Sequence, residues 1–397
     1  MPNPDVLIIG GGGAGLWLLD ELRRGGYSAL LVERDALGAG QTIAAQGIIH
    51  GGLKYTLDGA LHSSARAIRE MPALWRSCLS GDCQPDLSAV TVSSDRCHLW
   101  RTSSILSQAG MVGARVGLRS QVAAVSTGDR PEALTRCPGD VFSIDEPVID
   151  TGSLIRALAD RNSTSMVRAD VADFRVKHGH VESVTIRSAT RGDAIELQPR
   201  HVVLTAGAGN AAIRAAIGLP GNVMQRRPLH MVMVRGPLPP LFGHCVDAAR
   251  TRVTITSALY GPNRCVWHVG GQIAEDGVGL TTDELIRRAA RELQSVLPAV
   301  DLSECEWATY RIDRAEGRTP DDGRPSGPQV VVDGNVITAW PTKLALVPEL
   351  AKLIVDALAP PAVPRDEPAV IPDDWPRPDV ALPPWEVPQA WVRAICR

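Results

Sequence analysis

VLIIGGGGAGLWLLDEL (residues 6–22), followed by ALLVE (residues 29–33), decides the fold of this chain. Val6 to Ile9 is a short unbroken apolar run ending in glycines. Ala14 to Leu22 reads as a helix, and Ala29 to Val32 as a second apolar run closed by Glu33, so the chain opens as a βαβ unit. Within it, Gly10-x-Gly12-x-x-Gly15 lies between a strand and a helix, with an acid at the expected offset. Gly10 allows the tight turn, Gly12 lets the backbone approach a pyrophosphate, and Gly15 lets helix and strand pack. The helix N-terminus, through Gly13 and Ala14, offers N–H groups to the anion. Glu33, with Arg34 beside it, is placed to hold a ribose hydroxyl. The glycines alone would fit a flexible turn; strand, helix and acid together point to a dinucleotide.

Around this opening lies an ordinary globular composition. Of 397 residues, 44% are hydrophobic and 21% charged, which excludes disorder and coiled coil as global readings. Lys and Arg number 41 against 44 Asp and Glu, and no basic block is present, so nucleic acid is not an expected partner. Eight scattered cysteines form no CxxC pair and no Cys/His run. That argues against a zinc site and a disulfide scaffold, and no metal is expected. The uncharged run from Val6 to Leu19 is too short and glycine-rich to cross a bilayer. No leader is evident at MPNPDVLIIG, so a reducing cytoplasm is the expected compartment, with peripheral contact at the inner membrane face left open.

Further along, a helical stretch runs from about Leu57 to Leu79, and residues 86–145 carry short β-like pieces such as VTVSS. Asp150 fits the N-cap of a helix from Thr151 to Asp160, followed by strands over Val171–Val176, Val181–Ile186 and Ile195–Leu197. Several strands occupy Pro228–Ile273, a helix Thr282–Leu297, and a hairpin turns at Asp333-Gly334-Asn335. A helix over Leu350–Leu358 follows, with Pro348 in its first turn. The proline-dense tail beyond Ala359 cannot hold a regular helix.

Val202-Val203-Leu204-Thr205-Ala206-Gly207 resembles the second adenine-dinucleotide motif of flavoproteins, which favours FAD over NAD. The segment QTIAAQGIIHGGLKY (residues 41–55) resembles the flavin-contacting loop of FAD-dependent glycerol-3-phosphate dehydrogenases, within the D-amino-acid oxidase superfamily. His50-Gly51-Gly52-Leu53-Lys54-Tyr55 is similar to that family's HGGLRY stretch, with Lys54 in place of arginine. Pro341-Thr342-Lys343-Leu344 is similar to its Gly-Lys-Leu-Thr, and Tyr310-Arg311-Ile312-Asp313-Arg314 more loosely to its arginine-bearing segment. The resemblance implies an α/β flavoprotein. A discontinuous Rossmann-like FAD-binding domain (residues 1–80, 141–225 and 315–359) would interleave with a mostly antiparallel β substrate domain (residues 81–140 and 226–314), leaving a proline-rich tail (residues 360–397).

On this reading FAD is contacted by Gly10, Gly12, Gly13, Ala14, Gly15, Glu33 and Arg34, by Gln41, Thr42, Ala45, Gln46 and Gly47, and by Val171, Ala206, Gly207, Thr342, Lys343 and Leu344. His50, Tyr55, Lys343 and Arg311 are the expected catalytic groups: His50 as base, Tyr55 and Lys343 positioning substrate or balancing charge, Arg311 holding an anion. Arg314 is an equal alternative to Arg311. His50, Lys54, Arg227, His268 and Arg311 are expected around the substrate, although Arg227, His230 and His268 fit equally well as polar strand ends facing solvent. The implied reaction is hydride transfer from a small anionic secondary alcohol, a 2-hydroxy acid or polyol phosphate, to flavin N5; oxygen, a quinone or a protein could accept the electrons. An amine or amino-acid substrate, or a flavin-binding partner protein without turnover, are the alternatives.

Overall fold

The computed structural model describes residues 3–52, 63–102, 122–247, 250–261, 264–321, 323–362 and 371–393. Its centre is an eight-stranded sheet. Val6–Ile9 pairs in parallel with Ala29–Glu33 on one side and His201–Leu204 on the other, and Val336–Trp340 extends the parallel run. Every residue of Val6–Ile9 and of Val336–Trp340 is buried. Strands covered on both faces lose the alternating pattern and read as continuous apolar runs, which is why VLII was so legible. Met166–Lys177 joins the sheet beside Ala29–Glu33, then folds antiparallel through His180–Ser188 and Ala194–Leu197. The Gln329–Asp333/Val336–Trp340 hairpin closes the far edge, turning at Gly334 with φ 60°.

Helices cover one face. Gly13–Arg24 packs with Thr151–Arg161 and Val347–Ala357 around Leu16, Leu19, Ile155, Leu350 and Ile354. The Asp150 side chain accepts from Ser153 N at the start of Thr151–Arg161, as its capping role requires. The helix before Leu79 begins at Ser63 among the described residues.

The second body is a nine-stranded sheet, antiparallel except where Gly243–Asp247 runs beside Cys97–Trp100. Its long strands, Met224–Gly236 and Glu306–Gly317, pair over twelve positions. The amphipathic helix Thr282–Val296, held at its start by a Thr281/Glu284 capping box, buries Leu285, Ile286, Ala289 and Leu293 against it. Val141–Ile144, expected with the dinucleotide domain, pairs instead with Cys97–Trp100 in the nine-stranded sheet. The proline-rich tail wraps onto the body of the molecule. Leu37 N donates to Asp379 O (2.7 Å) and Ala381 N to Leu37 O (3.0 Å), Trp375 is buried, and Val392–Arg393 pairs with Glu306–Trp307. Among the described residues, no helix is long and apolar enough to cross a membrane.

Candidate functional site

The glycine turn and the second glycine motif are one object. A Cβ on Gly10, whose φ is 114°, would lie 2.6 Å from Ala206, and one on Gly15 would lie 2.1 Å from Gly10 O and 2.8 Å from Thr205 Oγ1. Thr205 Oγ1 in turn donates to Gly10 O (2.8 Å). Neither glycine can carry a side chain without parting the Val6–Ile9 strand, the helix it feeds and the His201–Leu204 strand.

This junction forms one end of a cavity of about 1290 Å³ that runs between the two sheets. Gly10, Gly12, Gly13, Ala14, Glu33, Arg34, Val171, Ala206 and Gly207 line it, as do Gln41, Thr42, Ala45, Gln46 and Gly47 of the following loop. Gly15 is not in its wall; it seats the helix. Glu33 Oε2 accepts from Gly11 N (2.7 Å) and Thr42 Oγ1 from Gly13 N (3.0 Å), so the acid and the loop are fastened to the glycine turn. The loop is also riveted to the other sheet. Gln46 Nε2 donates to Thr254 O (3.0 Å) and His268 O (2.8 Å), and Gln41 Oε1 accepts from Ala315 N (2.9 Å). A long cavity with a glycine-backed wall at a helix N-terminus, an acid at the second strand end and a wide far chamber fits an adenine dinucleotide with room for a substrate.

Thr342, Lys343 and Leu344 line the far chamber. Thr342 has φ 64°, an uncommon conformation for a β-branched residue, and its Oγ1 donates to Gly327 O (2.6 Å). That turn brings Lys343 close enough to His50 to act on its protonation.

His50 lines the same chamber, its side chain 34% exposed. Behind it is a residue the sequence did not single out: Glu146 Oε2 lies 3.1 Å from His50 Nδ1, and Glu146 Oε1 accepts from Gly51 N (2.7 Å). His244 stacks on His50, centroids 5.6 Å apart and planes at 29°, while its Nδ1 bonds Thr254 Oγ1 (2.8 Å). Atoms of His50, Glu146 and His244 fall within 4.8 Å of one another, a spacing a cation could also use. Burial pulls the His50 imidazole below its ordinary value; the Glu146 carboxylate opposes this, and the cations Lys343 and Arg324 reinforce it. Burial pushes Glu146 up, but His50, His244 and the Gly51 N–H outweigh it and hold the carboxyl below its usual range.

The expected substrate residues separate. Arg311 reaches the chamber, but its two guanidinium ends donate to Val278 O (2.6 Å) and Leu280 O (2.7 Å). Arg314 also lines it, giving Nη2 to Glu275 Oε1 (2.9 Å) while its buried Nε has no partner. Arg324, from the loop after Gly317, is exposed, lines the chamber and lowers the His50 imidazole through its charge; sequence reading passed it over. Arg227 is away from the chamber, in a two-bond ion pair with Glu316 (2.7 and 2.9 Å). His230, 2% exposed, bonds Gly277 O and Thr309 Oγ1 and is likewise structural. Lys54 and Tyr55 lie outside the described residues.

His268 is not a cavity residue either. It is 2% exposed, its Nε2 bonds Tyr310 OH, and Tyr310 OH donates on to Ala44 O (3.3 Å). Burial pushes its pKa down to about 4. The unfolded chain protonates this histidine from about 6.5 downward and the folded one does not until near 4, so its contribution is complete above 6.5 and is lost as pH falls between those values. The loss is of order 3 kcal/mol. The melting temperature of His268→Gln is therefore expected to fall less steeply than that of wild type from pH 6.5 to 4; parallel curves would contradict this.

Comparison with known proteins agrees with this geometry. Residues 5–355 match the DAO family of FAD dependent oxidoreductases. A Pseudomonas aeruginosa protein described as a probable FAD-dependent oxidoreductase is 39% identical over 390 residues, covering 97% of this chain and 98% of that one. Its crystal structure superposes with a TM-score of 0.81 at 37% identity, over 97% of this chain and 98% of that one. More distant likenesses, of fold alone, include glycine oxidase from Geobacillus kaustophilus (TM-score 0.64, 17% identity, 91% and 96% covered). Another is L-alpha-glycerophosphate oxidase from Mycoplasma pneumoniae with FAD bound (0.63, 14%, 94% and 98%). The chain belongs to the DAO family of FAD-dependent oxidoreductases, and FAD is its cofactor.

Proposed function

We propose that this oxidoreductase oxidises a small anionic secondary alcohol, a 2-hydroxy acid or a polyol phosphate. The observation that carries the reading is His50, backed by a buried carboxylate and open to the chamber. An alcohol gives up a hydride readily only as its hydroxyl proton leaves, so it needs a base at the carbinol oxygen; a neutral amine already has a lone pair to drive the same step. When bound, FAD supplies the hydride acceptor at its N5 atom. His50 takes the hydroxyl proton. Lys343 and Arg324 supply positive charge to the chamber and favour a substrate carrying carboxylate or phosphate; Arg324 shares the anion-holding role expected of Arg311, two of whose five N–H donors already go to carbonyls. Gly10–Ala14 would hold the pyrophosphate at the helix N-terminus, Glu33 and Val171 the adenosine end, and residues 41–47, 206–207 and 342–344 the ring system.

Anaerobic titration of the flavin-loaded protein with glycerol 3-phosphate, a series of 2-hydroxy acids and a series of amino acids tests this. Loss of the flavin absorbance band with a hydroxy compound and with none of the amines is expected. Bleaching by amines alone would move the chain to the amine-oxidising branch of its family.

A further inference from the structure

Resting on that assignment of His50 as base, we propose that Glu146 is its positioning residue: the carboxylate fixes the imidazole proton on Nδ1 and so leaves Nε2 as the acceptor in the chamber. An ionised carboxylate can only accept, so at 3.1 Å His50 Nδ1 must be the donor. A neutral imidazole with its proton on Nδ1 has its lone pair on Nε2. Glu146 is sealed, 7% exposed against 34% for His50, so substrate meets the base and not the carboxylate.

The pair is set by backbone rather than by chance contact. Ile49 N donates to Pro147 O (2.9 Å), Ile149 N to Gly47 O (3.0 Å), and Ile48 bridges Val148, which locks the segment bearing Glu146 alongside the segment bearing His50. Gly51 N holds the other carboxylate oxygen at 2.7 Å. The charged and titratable groups beside this pair are His244, Lys343, Arg324 and the buried Cys97 thiol, which Glu146 helps to keep protonated. His244 favours the ionised carboxylate and is itself tethered through Nδ1 to Thr254, while Lys343 and Arg324 favour the neutral imidazole.

Glu146→Gln makes the sharp test because it keeps size and changes one hydrogen-bonding end. Gly51 N will claim the amide oxygen, leaving the amide NH₂ to face His50 Nδ1, which must then accept. The imidazole proton moves to Nε2, and the chamber meets a donor where it had a base. With ¹⁵N-histidine-labelled, flavin-loaded protein, and His50→Gln to assign the signal, NMR is expected to show the Nδ1–H tautomer in wild type and in Glu146→Asp, and the Nε2–H tautomer in Glu146→Gln. Flavin reduction by the hydroxy substrate should slow about 10²-fold in Glu146→Gln, with its pH dependence below neutrality displaced, and largely return in Glu146→Asp. An unchanged tautomer in Glu146→Gln would overturn the proposal. So would one tightly bound divalent cation per chain in wild type that the Gln variant lacks. The NMR result decides the role of Glu146 even for a protein that no hydroxy compound bleaches, a failure that would fall on the alcohol reading instead.

Discussion

His50→Gln is expected to bind FAD as wild type does and to lose about 10² to 10⁴ in the rate of flavin reduction by substrate, equivalent to roughly 3 to 5 kcal/mol of barrier. His50 is separate from the glycine turn that holds the dinucleotide, and glutamine keeps a polar group against Glu146. What disappears is a group able to take a proton near neutral pH. The pH profile makes the assignment specific. A base works only when neutral, and burial holds the His50 imidazole below its ordinary 6.5, so reduction by wild type should rise through a midpoint under 6.5 and then level off. The variant should be slow and flat across that limb. Stopped-flow reduction under anaerobic conditions reads both quantities. A loss under tenfold, or a limb that survives the substitution, would remove His50 from the chemistry.

The second large effect concerns stability. Arg214→Met is expected to cost about 3 to 5 kcal/mol. The Arg214 side chain is fully buried; Nη1 donates to Asp333 Oδ2 and Thr338 Oγ1, both at 2.8 Å, and Nε to Pro220 O at 2.7 Å. One guanidinium therefore joins the helix Asn210–Ala216, which follows the second glycine motif, to the hairpin that closes the parallel sheet. Methionine fills the volume but leaves a carboxylate, a hydroxyl and a carbonyl without their donor. Thermal unfolding should move down by roughly 10 °C. Adding Asp333→Leu should recover part of the loss, because removing both partners is cheaper than stranding one. The recovery is partial because Asp333 is 29% exposed and water already meets some of its need. A drop of only 1 or 2 °C would show that the ion pair contributes little.

Residues 6–33 were legible because their signals are local: apolar runs buried on two faces, glycines that no Cβ could replace, and an acid at the next strand end. The loop over residues 41–50 was legible through its likeness to known flavoproteins. Glu146 was not. It stands in Ser143-Ile144-Asp145-Glu146-Pro147, beside an exposed acid with the same local pattern, and only the pairing of Ile48 with Val148 tells the two apart. His244 reaches His50 because Gly243–Asp247 is flanked by Cys97–Trp100, a neighbour well over a hundred positions earlier in the chain. Arg311 was legible as a strand arginine that reaches the chamber, but the two carbonyls from residues 278 and 280 that hold its guanidinium are announced by no pattern around residue 311.

The hydrogen bonds of the tail to Leu37 bear on the order in which the molecule is made. Gly38 N donates to Gly11 O (2.8 Å), so the loop that residues 379 and 381 clasp is the one leaning on the phosphate-binding turn. Val392–Arg393 then adds an edge to the other sheet. The dinucleotide motif emerges early relative to the clasp, whose residues leave the ribosome more than 340 positions later. A chain interrupted shortly before residue 379 would carry every glycine of the motif and still lack the clasp on the loop that leans on it.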